Sequence, residues 1–325
     1  MADADFRAPP RARNIDGDPR HIGVEIEYAG LSAKDSAVIL CDLFGGEIET
    51  KNPHRHRVTG STMGDFMCEL DLQYAHPSPD AENKDAILRE MGKMLSEMIG
   101  DASAPVVPTE ITSPPLTLDM LPRMNELVDA LRKAGALGTS EGVSYAFGLH
   151  LNPEIADDSS EWITAILRAY LILSGWLRAE IDIDLTRRLF RFADPFPKPY
   201  VKLVCDPAYE PGLDRLIDDY LEYNPTRNRE LDMLPLFAWI DEDRVRTTID
   251  DPRIKPRPTF HYRLPNAQVS DSLWSLAEDW NRWVVVETLA DNPERLSRMA
   301  GDFMNYQKPW HGSAWAEKVR DWLDR

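Results

Sequence analysis

From His21 to Ala29 the chain alternates: Val24, Ile26 and Tyr28 fall on one side of an extended backbone, Glu25 and Glu27 on the other. The alternation predicts a strand over 21–29, followed by a helix over 33–44 that stops at Gly45-Gly46. Strands are expected near 46–50 and 55–59 and over 64–74. Residues 81–99 carry apolar side chains every three to four positions, which predicts a helix with Asp80 at its start and Gly100 at its end. The segment "PVVPTEITSPPL" reads as a short strand stopped by Pro114-Pro115, 118–134 as a helix, and "VSYAFGLHLNPEI" as a further strand. Beyond residue 158 the period becomes helical, in "SEWITAILRAYLILSGWLRAEID" and over 210–222, 229–240, 271–289, 293–300 and 313–323. One late strand, "RPTFHYRL", interrupts that run, and the Pro-rich "FRFADPFPKPY" reads as a loop.

These elements describe an α+β fold in which a mainly antiparallel sheet is backed by helices. Residues 1–20 lack periodicity and are expected to form a disordered tail. With no linker in the remainder, 21–325 is read as a single domain, with a sheet-forming part at 21–158 plus 259–264 and a helical part at 159–325.

Each predicted strand has one apolar side and one polar side. In "DFMCELDL", Glu69 and Asp71 oppose Phe66, Cys68, Leu70 and Leu72; in "VPTEIT", Glu110 opposes Val107, Thr109 and Ile111. His150 and Asn152 share the polar side of "YAFGLHLN", and His261 and Arg263 that of "TFHYRL". A sheet wetted on one face would expose such positions too. Neighbouring carboxylates repel, however, and an acid-rich face of this kind calls for compensation by divalent metal. Oxygen ligands suit Mg²⁺ or Mn²⁺, and Mn²⁺ tolerates an added imidazole more readily.

A carboxylate cluster holding metal serves phosphoryl transfer when cations lie beside it. The candidates are Arg187, Arg188, Arg191, Lys198, Lys202, Arg227, Arg229, Lys255, Arg257 and Arg263, many of them in Pro-rich segments next to strands. "HRH" at 54–56 is read as an exposed loop. There is no G-x-x-x-x-G-K-[ST], G-x-S-x-G or H-E-x-x-H, and no G-x-G-x-x-G after a strand.

Composition narrows the partners. Lys plus Arg number 37 against 55 Asp plus Glu, for a net charge of -18, which opposes nonspecific attraction to nucleic acid or anionic membrane. Cys41, Cys68 and Cys205 form no C-x-x-C pair and are read as inert thiols of a reducing compartment. No apolar run is long enough for a signal peptide or a membrane span, so a cytoplasmic protein is expected, with assembly into oligomers left open.

"GVEIEY", "GDFMCELD", "TEITSPPL", "FGLHLN", "RNRELDMLPLF" and "FHYRL" occur in an order that resembles the amidoligases, over roughly residues 20–265. That family belongs to the carboxylate-amine ligase superfamily, with glutamate-cysteine ligase and glutamine synthetase. The resemblance implies a glutamine synthetase-like half-funnel of antiparallel strands that holds Mg²⁺ and ATP. It also implies an ATP-dependent reaction in which a small-molecule or peptide carboxylate becomes an acyl phosphate and is attacked by an amine. By matching positions, Glu25, Glu27, Glu69 and Glu110 are implied metal ligands, joined by His150 and His261, while Asp71, His150 and Arg263 are implied catalytic groups. Lys198, Lys202, Arg229, Arg187 and Asn152 are the candidate nucleotide contacts. Two positions depart from the family pattern: Asn152 replaces a second histidine, and His261 replaces an acid. The competing readings are a metal-dependent hydrolase and a non-catalytic protein that binds cations through an acidic face.

Overall fold

The computed structural model describes residues 5–70, 107–139, 147–181, 193–306 and 313–323. The expected helix over 81–99 and the candidates Asp71, Arg187, Arg188 and Arg191 lie outside the described residues, as do the end of the 64–74 strand and the start of "VSYAFGLHLNPEI".

The architecture is mixed: a nine-stranded, open antiparallel sheet backed by ten α-helices among the described residues. The strands are β1 (His21–Tyr28), β2 (Glu47–Asn52), β3 (Arg55–Ser61), β4 (Gly64–Leu70), β5 (Thr109–Thr112), β6 (Leu116–Thr117), β7 (Leu149–Pro153), β8 (Leu231–Asp232) and β9 (His261–Tyr262). Their order is β2-β3-β4-β5-β1-β7-β9-β8, with β6 beside β1. The five strands expected to share a polar face, β4, β5, β1, β7 and β9, are thus consecutive neighbours.

The opposite face is the core. Val24, Ile26, Tyr28, Phe66, Cys68, Ile111, Leu149, Leu151 and Tyr262 are all buried there. Helix α1 (Ala33–Phe44) is tied to this face by the Tyr28 hydroxyl, which donates to Ser36 Oγ at 2.6 Å. Its start is fixed by a reciprocal cap between Ser32 and Asp35. After a single 3₁₀ turn, α2 (Leu121–Lys133) continues the layer. The long α3 (Ser160–Ile181) is apolar on most sides because α4 (Lys198–Cys205), α8 (Leu276–Ala290), α9 (Pro293–Met304) and α10 (Ser313–Leu323) pack around it. Between them run α5 (Leu213–Tyr223), α6 (Leu234–Ile240) and α7 (Glu242–Thr248). No described helix is long and apolar enough to cross a membrane.

Three expectations are corrected. The segment read as a disordered tail is built into the fold from Asp5 onward. Arg20, 5% exposed, places two guanidinium nitrogens 2.7 Å from the two carboxylate oxygens of the fully buried Glu287, and its Nε donates to Glu154 O. Arg11 pairs with Asp157 and Asp291, so the segment is held by charge-assisted bonds rather than by apolar periodicity. "HRH" is a loop only at His54, which sits in the turn; Arg55 begins β3, and His56 is buried on it opposite Cys68, with Nδ1 3.2 Å from Thr50 Oγ1. The third is "FPKPY", which opens α4, because proline is tolerated in a first helical turn, where no intrahelical N–H bond is lost.

Candidate functional site

The polar faces of β4, β5, β1, β7 and β9 form the floor of a cavity of about 1030 Å³. Register brings the floor together: Glu69 pairs with Glu110, Glu110 with Glu27, and Glu25 with both Thr112 and His150. At its centre one oxygen of Glu25, one nitrogen of His150 and one of His261 all lie within 4.8 Å of one another. His150 Nδ1 is 2.9 Å from Glu25 Oε2, and His261 Nε2 is 3.8 Å from the same oxygen. Asn152 Nδ2 donates to Glu25 Oε1 at 2.9 Å. Gly23 stands opposite Asn152, and a Cβ there would come within 3.3 Å of Asn152 Cβ, so the glycine of "GVEIE" leaves Asn152 room to reach Glu25.

Burial and neighbouring charge act on two of the three, His261 and Glu25. Burial pushes His261 down to about 3 against the pull of Asp232 and Glu25, which leaves a neutral imidazole. Burial also acts to raise Glu25, but the His150 hydrogen bond, the neighbouring imidazoles and Arg257 outweigh it and hold the carboxylate well below its ordinary value. Among the described residues the buried His261 Nε2 has no hydrogen-bond partner, although it faces a carboxylate. One carboxylate oxygen and two imidazole nitrogens fit a divalent ion that accepts nitrogen, and such an ion would satisfy the orphaned nitrogen.

The other predicted acids have different surroundings. Glu27 shares the strand face of Glu25 but is 3% exposed, accepts a 2.7 Å bond from the Gly148 N–H, and is not among the residues lining the cavity. Glu69 and Glu110 do line it; Glu69 pairs with Arg55 at 3.0 Å, and Glu110 accepts from the Thr112 hydroxyl at 2.9 Å.

The cavity is also lined by a basic set, which completes its wall: Arg227, Arg253, Lys255, Arg257 and Arg263. Arg257 Nη2 donates to Asn152 Oδ1 at 2.7 Å, and Arg263 donates to Arg227 O. Lys198, Lys202 and Arg229 are not part of the wall: both lysines are exposed on α4, and Arg229 donates to Pro195 O at 2.8 Å. Sequence reasoning missed Arg253, which precedes the chosen Lys255 by two residues. It also missed His21 and Glu154 at the rim, where His21 N–H donates to Glu154 Oε2 at 2.8 Å. The two-residue period that selects Glu25 and Asn152, carried outward along each strand, reaches both.

Residues 18–285, most of the chain, match the family model described as "Putative amidoligase enzyme". The chain belongs to the amidoligase family. No curated protein and no solved structure matched it. Membership points to amide-bond ligation as the class of reaction. In this amidoligase Asn152 bridges Glu25 and Arg257, and His261 offers a nitrogen close to Glu25 and His150.

Proposed function

We propose that this amidoligase joins a carboxylate to an amine in an ATP- and divalent metal-dependent reaction. The observation that carries the reading is that one cavity is lined both by the acids and imidazoles of the sheet face and by five cations. A purely acidic binding face would not need that wall, and neither would a hydrolase of neutral substrates. Glu25, His150 and His261 would hold Mg²⁺ or Mn²⁺, with Glu69 and Glu110 on the adjoining strands; when bound, the ion neutralises phosphate charge.

The chain's own groups have distinct tasks. A carboxylate is a poor electrophile, and its oxygen must first take the terminal phosphoryl group of ATP, releasing ADP. Arg263, Arg257 and their neighbours on the wall bind phosphate oxygens and stabilise the charge that develops. The amine nitrogen then attacks the acyl carbon, phosphate leaves, and a carboxylate of the floor would accept the proton the amine gives up. A cavity of about 1030 Å³ has room for a nucleotide and a small second substrate.

The test is a screen of acids and amines with ATP and either Mg²⁺ or Mn²⁺, read as ADP formation. ADP release that requires both an acid and an amine is the expected result. Failure to bind any nucleotide with either metal overturns the reading.

A further inference from the structure

Behind His261 lies a carboxylate that the reaction above does not use. Asp232, on β8, pairs with His261 across the ladder and is fully buried. Its Oδ1 accepts the Leu234 N–H at 3.0 Å and so holds the start of α6. Among the described residues its Oδ2 has no hydrogen-bond partner, and it points to His261 Nδ1 at 3.5 Å, longer than a normal hydrogen bond. On the far side of the ring, Nε2 faces Glu25. The imidazole therefore lies between two carboxylates, with one nitrogen toward each.

Such a ring carries one proton in its neutral form, and its two nitrogens compete for it. A proton on Nε2 would be aimed at Glu25 and would remove the only lone pair this ring can offer the site. A proton on Nδ1 satisfies Asp232 and leaves Nε2 bare. Carboxylates behind metal-binding histidines act in this way, fixing tautomer and ring orientation.

We infer that Asp232 is a positioning residue that holds His261 as the Nδ1–H tautomer, so that the site prefers Mn²⁺ to Mg²⁺. The preference follows because Mn²⁺ accepts imidazole nitrogen more readily than Mg²⁺, which favours oxygen. The inference rests on the metal role proposed for Glu25, His150 and His261, but not on the identity of the nucleotide or of the substrates.

The substitution that isolates the effect is Asp232→Asn. Asparagine keeps an oxygen for the Leu234 N–H and turns the other group from acceptor to donor, which favours a bare Nδ1 and a proton on Nε2. The chain has seven histidines, so ¹⁵N-histidine labelling gives a small set of ring signals, and His261→Gln assigns the one needed. In the metal-free full chain, His261 should show the Nδ1–H pattern, moving to Nε2–H in Asp232→Asn. Mn²⁺ binding, followed by loss of the free-ion resonance signal, should weaken about 10–100-fold in Asp232→Asn, while Mg²⁺ binding changes less than about threefold.

An Nε2–H tautomer in the unaltered chain overturns the inference without recourse to any variant. Equal losses for Mn²⁺ and Mg²⁺ also overturn it, since they would mark Asp232 as a folding residue only. A correct tautomer and Mn²⁺ preference without any nucleotide binding would instead sink the ligase reading and leave this inference standing.

Discussion

The two walls of the cavity are built on different principles. Glu25, Glu69, Glu110 and His150 stand on strands whose ladder hydrogen bonds fix every neighbour, so like charges are held together by backbone pairing. Much of the basic wall belongs to residues 252–259, which form no helix or strand. That segment is pinned at separate points: Arg246 donates to Asp251 O and Ile254 O at 2.6 Å each, the Arg257 N–H reaches Pro235 O, and the Ile155 N–H reaches Pro258 O. A ladder can force carboxylates into proximity against their repulsion; cations that meet a mobile ligand need only be brought within reach.

The largest effect is expected on the fixed wall. Glu25→Gln keeps the shape of the side chain and removes the charge shared by His150, Asn152 and His261. Mn²⁺ affinity should fall more than about 100-fold, beyond what losing an outer partner usually costs. Circular dichroism should show the fold retained, because the apolar alternates Val24, Ile26 and Tyr28 are untouched. Unchanged metal affinity would make the floor a merely solvated face and dissolve the contrast between the walls.

Arg257→Ala sharpens the contrast, because it should lower one readout without lowering the other. Nucleotide affinity should fall about 10–100-fold, as expected from losing a charge-assisted bond of about 1.5–3 kcal/mol. Mn²⁺ binding without nucleotide should hold or tighten, since a positive charge that acts on Glu25 is gone. Titrations of each ligand alone separate the effects. Parallel losses would mean that the two walls work as one unit.

That physical difference also explains what was legible in the sequence. Strand period two assigns a face to each residue without knowledge of the partner, which is why Glu25, Glu69, Glu110, His150 and His261 could be placed on one side of a sheet. It could not show how Glu27 and Glu25 differ: both share the face and both lie near a nitrogen of His150, but Glu27 also accepts the Gly148 N–H. Nor could it find Asp232, because β8 spans two residues and carries no period. The N-terminal segment was misread for the same kind of reason, since the Arg20–Glu287 pair joins residues 267 positions apart and leaves no local pattern. The cations were legible only as a set, with Arg263 and Arg257 reaching the cavity and Lys198, Lys202 and Arg229 lying elsewhere.

The smallest expected effect tests that partition directly. Lys202 is exposed in the last turn of α4, where a positive charge suits the helix C-terminus, and it does not line the cavity. Lys202→Ala should leave nucleotide and Mn²⁺ affinity within about twofold, the range of a surface substitution worth about 0.5 kcal/mol or less. Lys255→Ala, on the wall itself, should weaken nucleotide binding several-fold in the same titration. If Lys202→Ala costs tenfold while Lys255→Ala costs nothing, the phosphate-binding cations come from α4, and the segment 252–259 is only the rim of the acidic floor.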